Sequence, residues 1–108
     1  MARARSRIIG ISAEYDAVGV QLLSINTDSP VVPQEELFLQ AAMSARYGAD
    51  GYLMLRAMTI HPAIAFGIDA RVGSLEPGKD ADLAVRTGNP LDPRAAVEVV
   101  WIDGRIEY

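Results

Sequence analysis

Val20-Gln21-Leu22-Leu23-Ser24-Ile25-Asn26-Thr27-Asp28-Ser29-Pro30 is a short apolar run that stops at a carboxylate and a proline. Gln21 to Ile25 is rich in branched apolar side chains but too short for periodicity alone to separate strand from helix. Gly19 before it and Ser29-Pro30 after it favour a buried strand bounded by turns. Open α/β sheets and barrels place ligand-facing groups just beyond the carboxyl ends of their strands. Asp28 is therefore the first candidate for a site residue.

Working outward, Pro30 and Pro33 keep the next loop extended, and Pro33 suits the first turn of a helix, where its missing N–H costs nothing. Glu35 and Glu36 favour the helix dipole there. Leu37, Phe38, Ala41, Ala42 and Ala45 recur at three- and four-residue spacing, and Gly48 fits a C-terminal cap, so a helix is expected over about 33–47. Asp50 can cap a second helix over about 51–60, with Leu53, Ala57 and Ile60 on one stripe and Met54 and Met58 beside it as core filler. Pro62 stops or restarts it, and a further helical turn over Pro62 to Phe66 ends at Gly67.

From Arg71 the grammar changes. Val72 to Leu75, the turn Glu76-Pro77-Gly78-Lys79 and Ala81 to Arg86 read as strand, type II turn and strand. Val97 to Ile102, Asp103-Gly104 and Arg105 to Tyr108 read as a hairpin with a two-residue primed turn. Before the opening run, Ile8 to Val18 fits neither period cleanly, with a helix around Ala13 to Ala17. Met1 to Arg7 reads as a frayed basic head, because three arginines are too few for a nucleic-acid arm.

The 108 residues, half of them hydrophobic, suffice for one core. A formal charge of −4 argues against nucleic acid and anionic membrane as partners. Without cysteine there are no disulfides, thiolate metal sites or cysteine nucleophiles. No apolar run approaches a membrane span and no signal-peptide pattern is present, so a cytoplasmic location is expected.

The single histidine excludes a zinc site built from histidines alone. Walker, dinucleotide and Gly-x-Ser-x-Gly motifs are absent. His61, before a proline at a helix junction, reads as a cap or core histidine. Glu35 and Glu36 suit a helix start, Glu76 and Asp103 suit turns, and Asp80 and Asp82 suit a solvated or turn-bonding face. Asp28 alone joins a strand end, a loop and a following helix.

Five blocks in order sharpen this: Asn26-Thr27-Asp28-Ser29-Pro30, the Glu35 to Tyr47 helix, Leu55-Arg56-Ala57-Met58-Thr59-Ile60-His61-Pro62-Ala63, Gly73-Ser74-Leu75-Glu76-Pro77-Gly78-Lys79-Asp80-Ala81-Asp82-Leu83, and Val99 to Gly104. Together they resemble the C-terminal portion of the metal-dependent amidohydrolase superfamily, in particular its imidazolonepropionase-like and related members. The resemblance implies a (β/α)8 barrel carrying one or two divalent metals, usually zinc, and a small β-sandwich built from both chain ends. It makes Gln21 to Asn26 the eighth barrel strand and Asp28 a metal ligand and proton shuttle for hydrolysis of C–N bonds. Its chemistry is that of a metal that acidifies its water beside a carboxylate that carries the proton.

The expected fold is thus an α/β fragment: the last strand and helices of a barrel followed by part of an antiparallel β-sandwich. Its parts are a disordered basic head over 1–7, a barrel segment over 8–68 with its strand at about 20–26, and a sandwich portion over 69–108. His61 departs from the resemblance, which commonly has asparagine there. So does the lack of the His-x-His, the lysine or glutamate and the further histidines of earlier strands. A (β/α)8 barrel takes about 250 residues, and one carboxylate cannot hold a metal. This chain alone is therefore expected to be inactive and metal-free, its Asp28 site completed only by an N-terminal amidohydrolase portion. The alternative is a non-catalytic interaction module that self-associates as a homo-oligomer.

Overall fold

The computed structural model describes residues 2–4 and 7–108, with side chains described from Gly10 onward. Two short strands, β1 (Ala2–Ala4) and β2 (Arg7–Ile9), pair antiparallel. Four helices follow: α1 (Ile11–Ala17), α2 (Leu37–Arg46), α3 (Gly51–Ala57) and α4 (Ile60–Ala65). A three-stranded antiparallel sheet, β3 (Leu83–Arg86), β4 (Val97–Ile102) and β5 (Arg105–Ile106), closes the order. Of the head expected to be frayed, residues 2–4 thus lie in a hairpin with Arg7–Ile9, and Met1, Arg5 and Ser6 lie outside the described residues.

Each helix boundary has a local cause. A 3-10 turn at Gln34–Glu36 precedes α2, so the regular helix begins at Leu37 rather than Pro33. Gly48, at φ 109°, takes the left-handed conformation that ends the α2 turn at least cost. The Asp50 carboxylate accepts the Leu53 N–H at 2.8 Å and caps α3 as expected. The helix expected over 51–60 instead breaks at Met58-Thr59 and restarts as α4 at Ile60. Pro62 explains the break, since it lacks an N–H and its ring crowds the carbonyl four residues earlier, that of Met58.

The strand expected at 20–26 is extended chain without a ladder. Its alternation survives: Leu23, Ile25 and Thr27 turn inward while Leu22, Ser24, Asn26 and Asp28 are exposed. A parallel strand needs neighbours across a crossover, and no strand of the described residues pairs with this segment. Val72 to Leu75 is likewise not a strand. The Arg71 and Val72 N–H groups both donate to the Ile68 carbonyl, which curls this stretch over α4. Gly73, at φ 97°, lies so close to α4 that a Cβ there would sit 2.8 Å from Ala63 Cβ.

The last third follows its turn chemistry. Gly78 at φ 91° and a Lys79 N–H to Glu76 carbonyl bond of 3.2 Å form the Pro-Gly turn. Asp103 and Gly104, at φ 50° and 74°, form the primed turn between β4 and β5. The strand expected from Ala81 starts at Leu83, because Asp82 and Ala81 meet the hairpin tip instead. Asp82 Oδ1 accepts the Asp103 N–H at 2.7 Å and the Ala81 carbonyl accepts that of Gly104 at 3.1 Å.

The core is small. Ala41, Ala49, Met54 and Ala57 are buried together under Leu23, Ile25, Leu53 and Met58, and among the described residues Met54 is the one large side chain wholly enclosed. The chain exposes 7694 Å², against about 5,800 Å² for a compact monomer of this mass. The surplus includes large apolar side chains: Leu22, Val31, Phe66, Leu75 and Tyr108 are all more than half exposed.

Candidate functional site

Asp28 stands where the sequence places it, at the end of the extended segment and the start of a turn. Thr27, buried beside it, accepts the Val32 N–H at 3.2 Å, and the Asp28 carbonyl accepts that of Val31 at 2.9 Å. The Asp28 N–H donates to Asn26 Oδ1 at 3.0 Å. These bonds hold Asp28 at φ 52°, a left-handed conformation that few residues with a side chain adopt and that aspartate tolerates. The turn continues through a cis Ser29-Pro30 bond. The carboxylate is exposed, and it makes no hydrogen bond or ion pair among the described residues. It can accept and release a proton and can donate oxygen to a cation, with nothing in the described chain competing for it.

The segment behind Asp28 is held from the helices. The Val20 N–H donates to the Tyr15 carbonyl at 3.0 Å and the Ile25 N–H to the Ala57 carbonyl at 3.0 Å. His61, buried, places Nδ1 2.9 Å from the Leu23 carbonyl, while its Nε2 accepts from Arg56 Nε at 3.1 Å. His61 is thus a core histidine, as its position before Pro62 suggested, with both ring nitrogens hydrogen-bonded within the chain. Sequence gave no sign that its partner would be a backbone carbonyl 38 positions earlier.

Four other carboxylates have structural work. Asp80 pairs with Arg71 at 2.8 Å, and Asp82 receives the hairpin tip. Glu76 is held by the Ser74 hydroxyl and by Lys79, and these draw its carboxyl below the ordinary glutamate range. Asp92 is lowered in the same way by hydrogen bonds from Arg94, whose guanidinium is raised in return.

Asp28 lines neither of two surface depressions, both open to solvent. One of about 560 Å³ runs beside the extended segment past Ser24 and Asn26 to Gln40 and Ser44. Another, of about 550 Å³, is a largely apolar groove between the helices and β3, where Phe66, Ile68 and Leu75 lie open. In it Arg86 stacks on Phe38, its guanidinium carbon 4.2 Å from the ring centroid.

A model of the amidohydrolase family matches residues 2–107. The chain belongs to the amidohydrolase family. Amidohydrolase tasK of Hapsidospora irregularis is 35% identical over 82 residues, which are 76% of this chain and 8% of that protein. The crystal structure of an amidohydrolase from Thermotoga maritima MSB8 superposes with a TM-score of 0.85 at 40% identity, covering 96% of this chain and 27% of that one. The chain therefore spans a small part of the length of the relatives it matches. Its arrangement of helices and three-stranded sheet belongs to an amidohydrolase fold, and the matched region takes in residues from 2 onward, beyond the blocks quoted above.

Amidohydrolases are generally metal-dependent. Among the described residues no group of three or more His, Cys, Asp or Glu could hold a metal ion. A catalytic zinc asks for three protein ligands, and Asp28 is one exposed oxygen donor with no second beside it. His61, the only other donor of note, has both nitrogens spent on Leu23 and Arg56. The described residues do not make a metal centre by themselves. No helix among them is long and apolar enough to cross a membrane.

Proposed function

We propose that this chain is the C-terminal portion of a hydrolase acting on C–N bonds of the non-peptide or cyclic amide type, and that it is inactive alone. Its contribution is Asp28, the carboxylate at the end of what becomes the eighth barrel strand. The observation that carries this reading is the Asp28 turn itself. An exposed carboxylate without a partner in the described chain sits in a left-handed conformation, braced by the Asn26 side chain and two turn hydrogen bonds. Backbone held in a sparsely populated region without any packing need is characteristic of functional positions.

In this reading Asp28 takes a proton from the attacking water and returns it to the leaving nitrogen, as a carboxylate within hydrogen-bond reach of both can do. It serves as an oxygen ligand to a divalent metal, zinc by family resemblance, only when residues of a partner complete the donor set. That partner is an N-terminal amidohydrolase portion, for which the surplus of exposed apolar surface supplies the contact area. The same surplus favours a second reading, a non-catalytic module that associates with its own copies. The cytoplasm is the compartment we propose for either form.

The test is complementation. The 108-residue chain is mixed with the N-terminal part of the Thermotoga maritima amidohydrolase that it does not match, and bound zinc and hydrolysis of a panel of cyclic amides are measured. The expected result is a stable assembly that hydrolyses at least one amide, with Asp28→Asn lowering kcat by about 10²-fold or more, the range of a lost acid–base group, and leaving assembly intact. Homo-oligomers that ignore the added portion would support the second reading instead. Full activity in Asp28→Asn would remove Asp28 from the mechanism.

A further inference from the structure

We infer that His61 is a positioning residue that takes the place of a ladder neighbour for segment 20–28 and fixes the register in which Asp28 leaves it. A strand in a sheet is held by backbone bonds along its length. Segment 20–28 has no such neighbour in the described chain, yet from Leu22 to Asp28 its burial alternates as a strand's does. Two bonds from the helices act on its middle. One is backbone, from the Ile25 N–H to the Ala57 carbonyl at the end of α3, 3.0 Å. The other comes from a side chain, His61 Nδ1 at 2.9 Å from the Leu23 carbonyl.

The direction of that second bond follows from Arg56. Its guanidinium has only donors, and Arg56 Nε lies 3.1 Å from His61 Nε2. Nε2 must therefore present its lone pair, which places the ring proton on Nδ1, pointing at the Leu23 carbonyl. Arg56 is in turn set over the Tyr52 ring, 5.8 Å from its centroid. Arg56 fixes the tautomer, the tautomer makes the donor, and the donor holds Leu23. A buried imidazole needs partners whatever its role, and here the one that accepts its proton is the backbone of the site-bearing segment. A one-residue slip of this segment would exchange its two faces and turn Asp28 from the rim into the protein. The functional meaning of the restraint rests on the reading of Asp28 given above, while the restraint itself does not.

His61 is the chain's only histidine, so its ring signals need no assignment. The test is the imidazole ¹⁵N spectrum of the 108-residue chain at alkaline pH. The expected result is a single Nδ1–H tautomer. An Nε2–H tautomer, or the averaged mixture of a free imidazole, overturns the proposal without any variant being made.

Two substitutions then separate positioning from packing. The amide nitrogen of His61→Asn falls at the Nδ1 position, and that of His61→Gln falls at the Nε2 position. Amide exchange of Ile25, two residues beyond Leu23, reports the register. His61→Asn should leave its protection within about twofold, while His61→Gln should lower it about tenfold, the scale of one hydrogen bond. Equal protection in the two variants would reduce His61 to a space-filling role. If the tautomer and the Asn/Gln split hold but Asp28→Asn is fully active in the complemented enzyme, the restraint stands and the reading of Asp28 falls.

Discussion

Segment 20–28 and the hairpin of β4 and β5 each contain a short apolar run that ends in a turn, and only the hairpin becomes a sheet. In the hairpin the partner is a few residues away, delivered by a primed turn at Asp103-Gly104 that matches the twist of the strands it joins. Residues 22–28 alternate in burial but have no adjacent strand among the described residues, and the helices α3 and α4 supply hydrogen bonds to their middle instead. Strand character is thus local in one region and borrowed in the other. The consequence is that the β-portion carries its own closure, whereas the site-bearing segment depends on how well the helices behind it are packed.

Removing that packing gives the largest effect. Among the described residues Met54 is the one large side chain fully enclosed in the core, and it lies beneath the helices that anchor Leu23 and Ile25. Met54→Ala should cost about 2–5 kcal/mol through lost burial and the cavity left behind. In a core otherwise made of alanines, that loss is a large share of the stability available to a domain of this size. Thermal or urea unfolding followed by amide exchange checks it, with Ile25 losing protection before Val99 and Val100. Loss at the same rate in both places would mean that the two regions share one cooperative unit and that the contrast drawn here is false.

A smaller effect is expected where the regions meet. Gly73 lies against α4 with φ 97°, and an added Cβ would fall 2.8 Å from Ala63 Cβ and 3.1 Å from Ile60 Cα. Gly73→Ala therefore combines left-handed strain with a clash against backbone, for about 1–3 kcal/mol. The cost should appear in α4 and at His61 rather than in the β4–β5 hairpin. Chemical-shift mapping of the variant distinguishes these, and changes confined to β3 to β5 would show that the 68–80 stretch belongs to the sheet instead.

How much of this could be read from sequence follows the same division. The Pro-Gly turn, the primed hairpin, the Asp50 cap and the Gly48 stop are each a few residues long, and each is present in the structure. The break expected at Pro62 falls earlier, at Met58-Thr59, because the proline ring acts on the carbonyl four positions before it. Val72 to Leu75 was misread as a strand because its alternation does not reveal that Gly73 is pressed onto α4. At the site, the position of Asp28 at a segment end was legible, and its left-handed turn and the His61 restraint were not. The turn is local but rests on an Asn26 side-chain bond and on φ at one residue, which propensity does not fix, whereas the restraint joins residues 38 positions apart.

The weakest expected effect probes the turn that leads from that misread stretch into the sheet. Glu76 accepts from the Ser74 hydroxyl and pairs with Lys79 at 2.9 Å, while Lys79 also donates to Ser74 at 2.7 Å. These contacts, the Ser74 bond foremost, lower the Glu76 carboxyl from its ordinary value of 4.5. A carboxyl lowered by folding contributes stability that is fully present above its unfolded value and is lost as pH falls through its folded value. Glu76 lies in the open, so water screens the contribution and keeps it small. The stability difference between wild type and Glu76→Gln should be constant above about pH 5 and shrink toward zero as pH falls below 4.5. A difference that grows on acidification would reverse the sign and place the stabilising form of Glu76 in its protonated state. Because the Ser74, Glu76 and Lys79 contacts all lie within six residues, this term should survive Met54→Ala wherever the β-portion remains folded, a result that only a locally closed region can give.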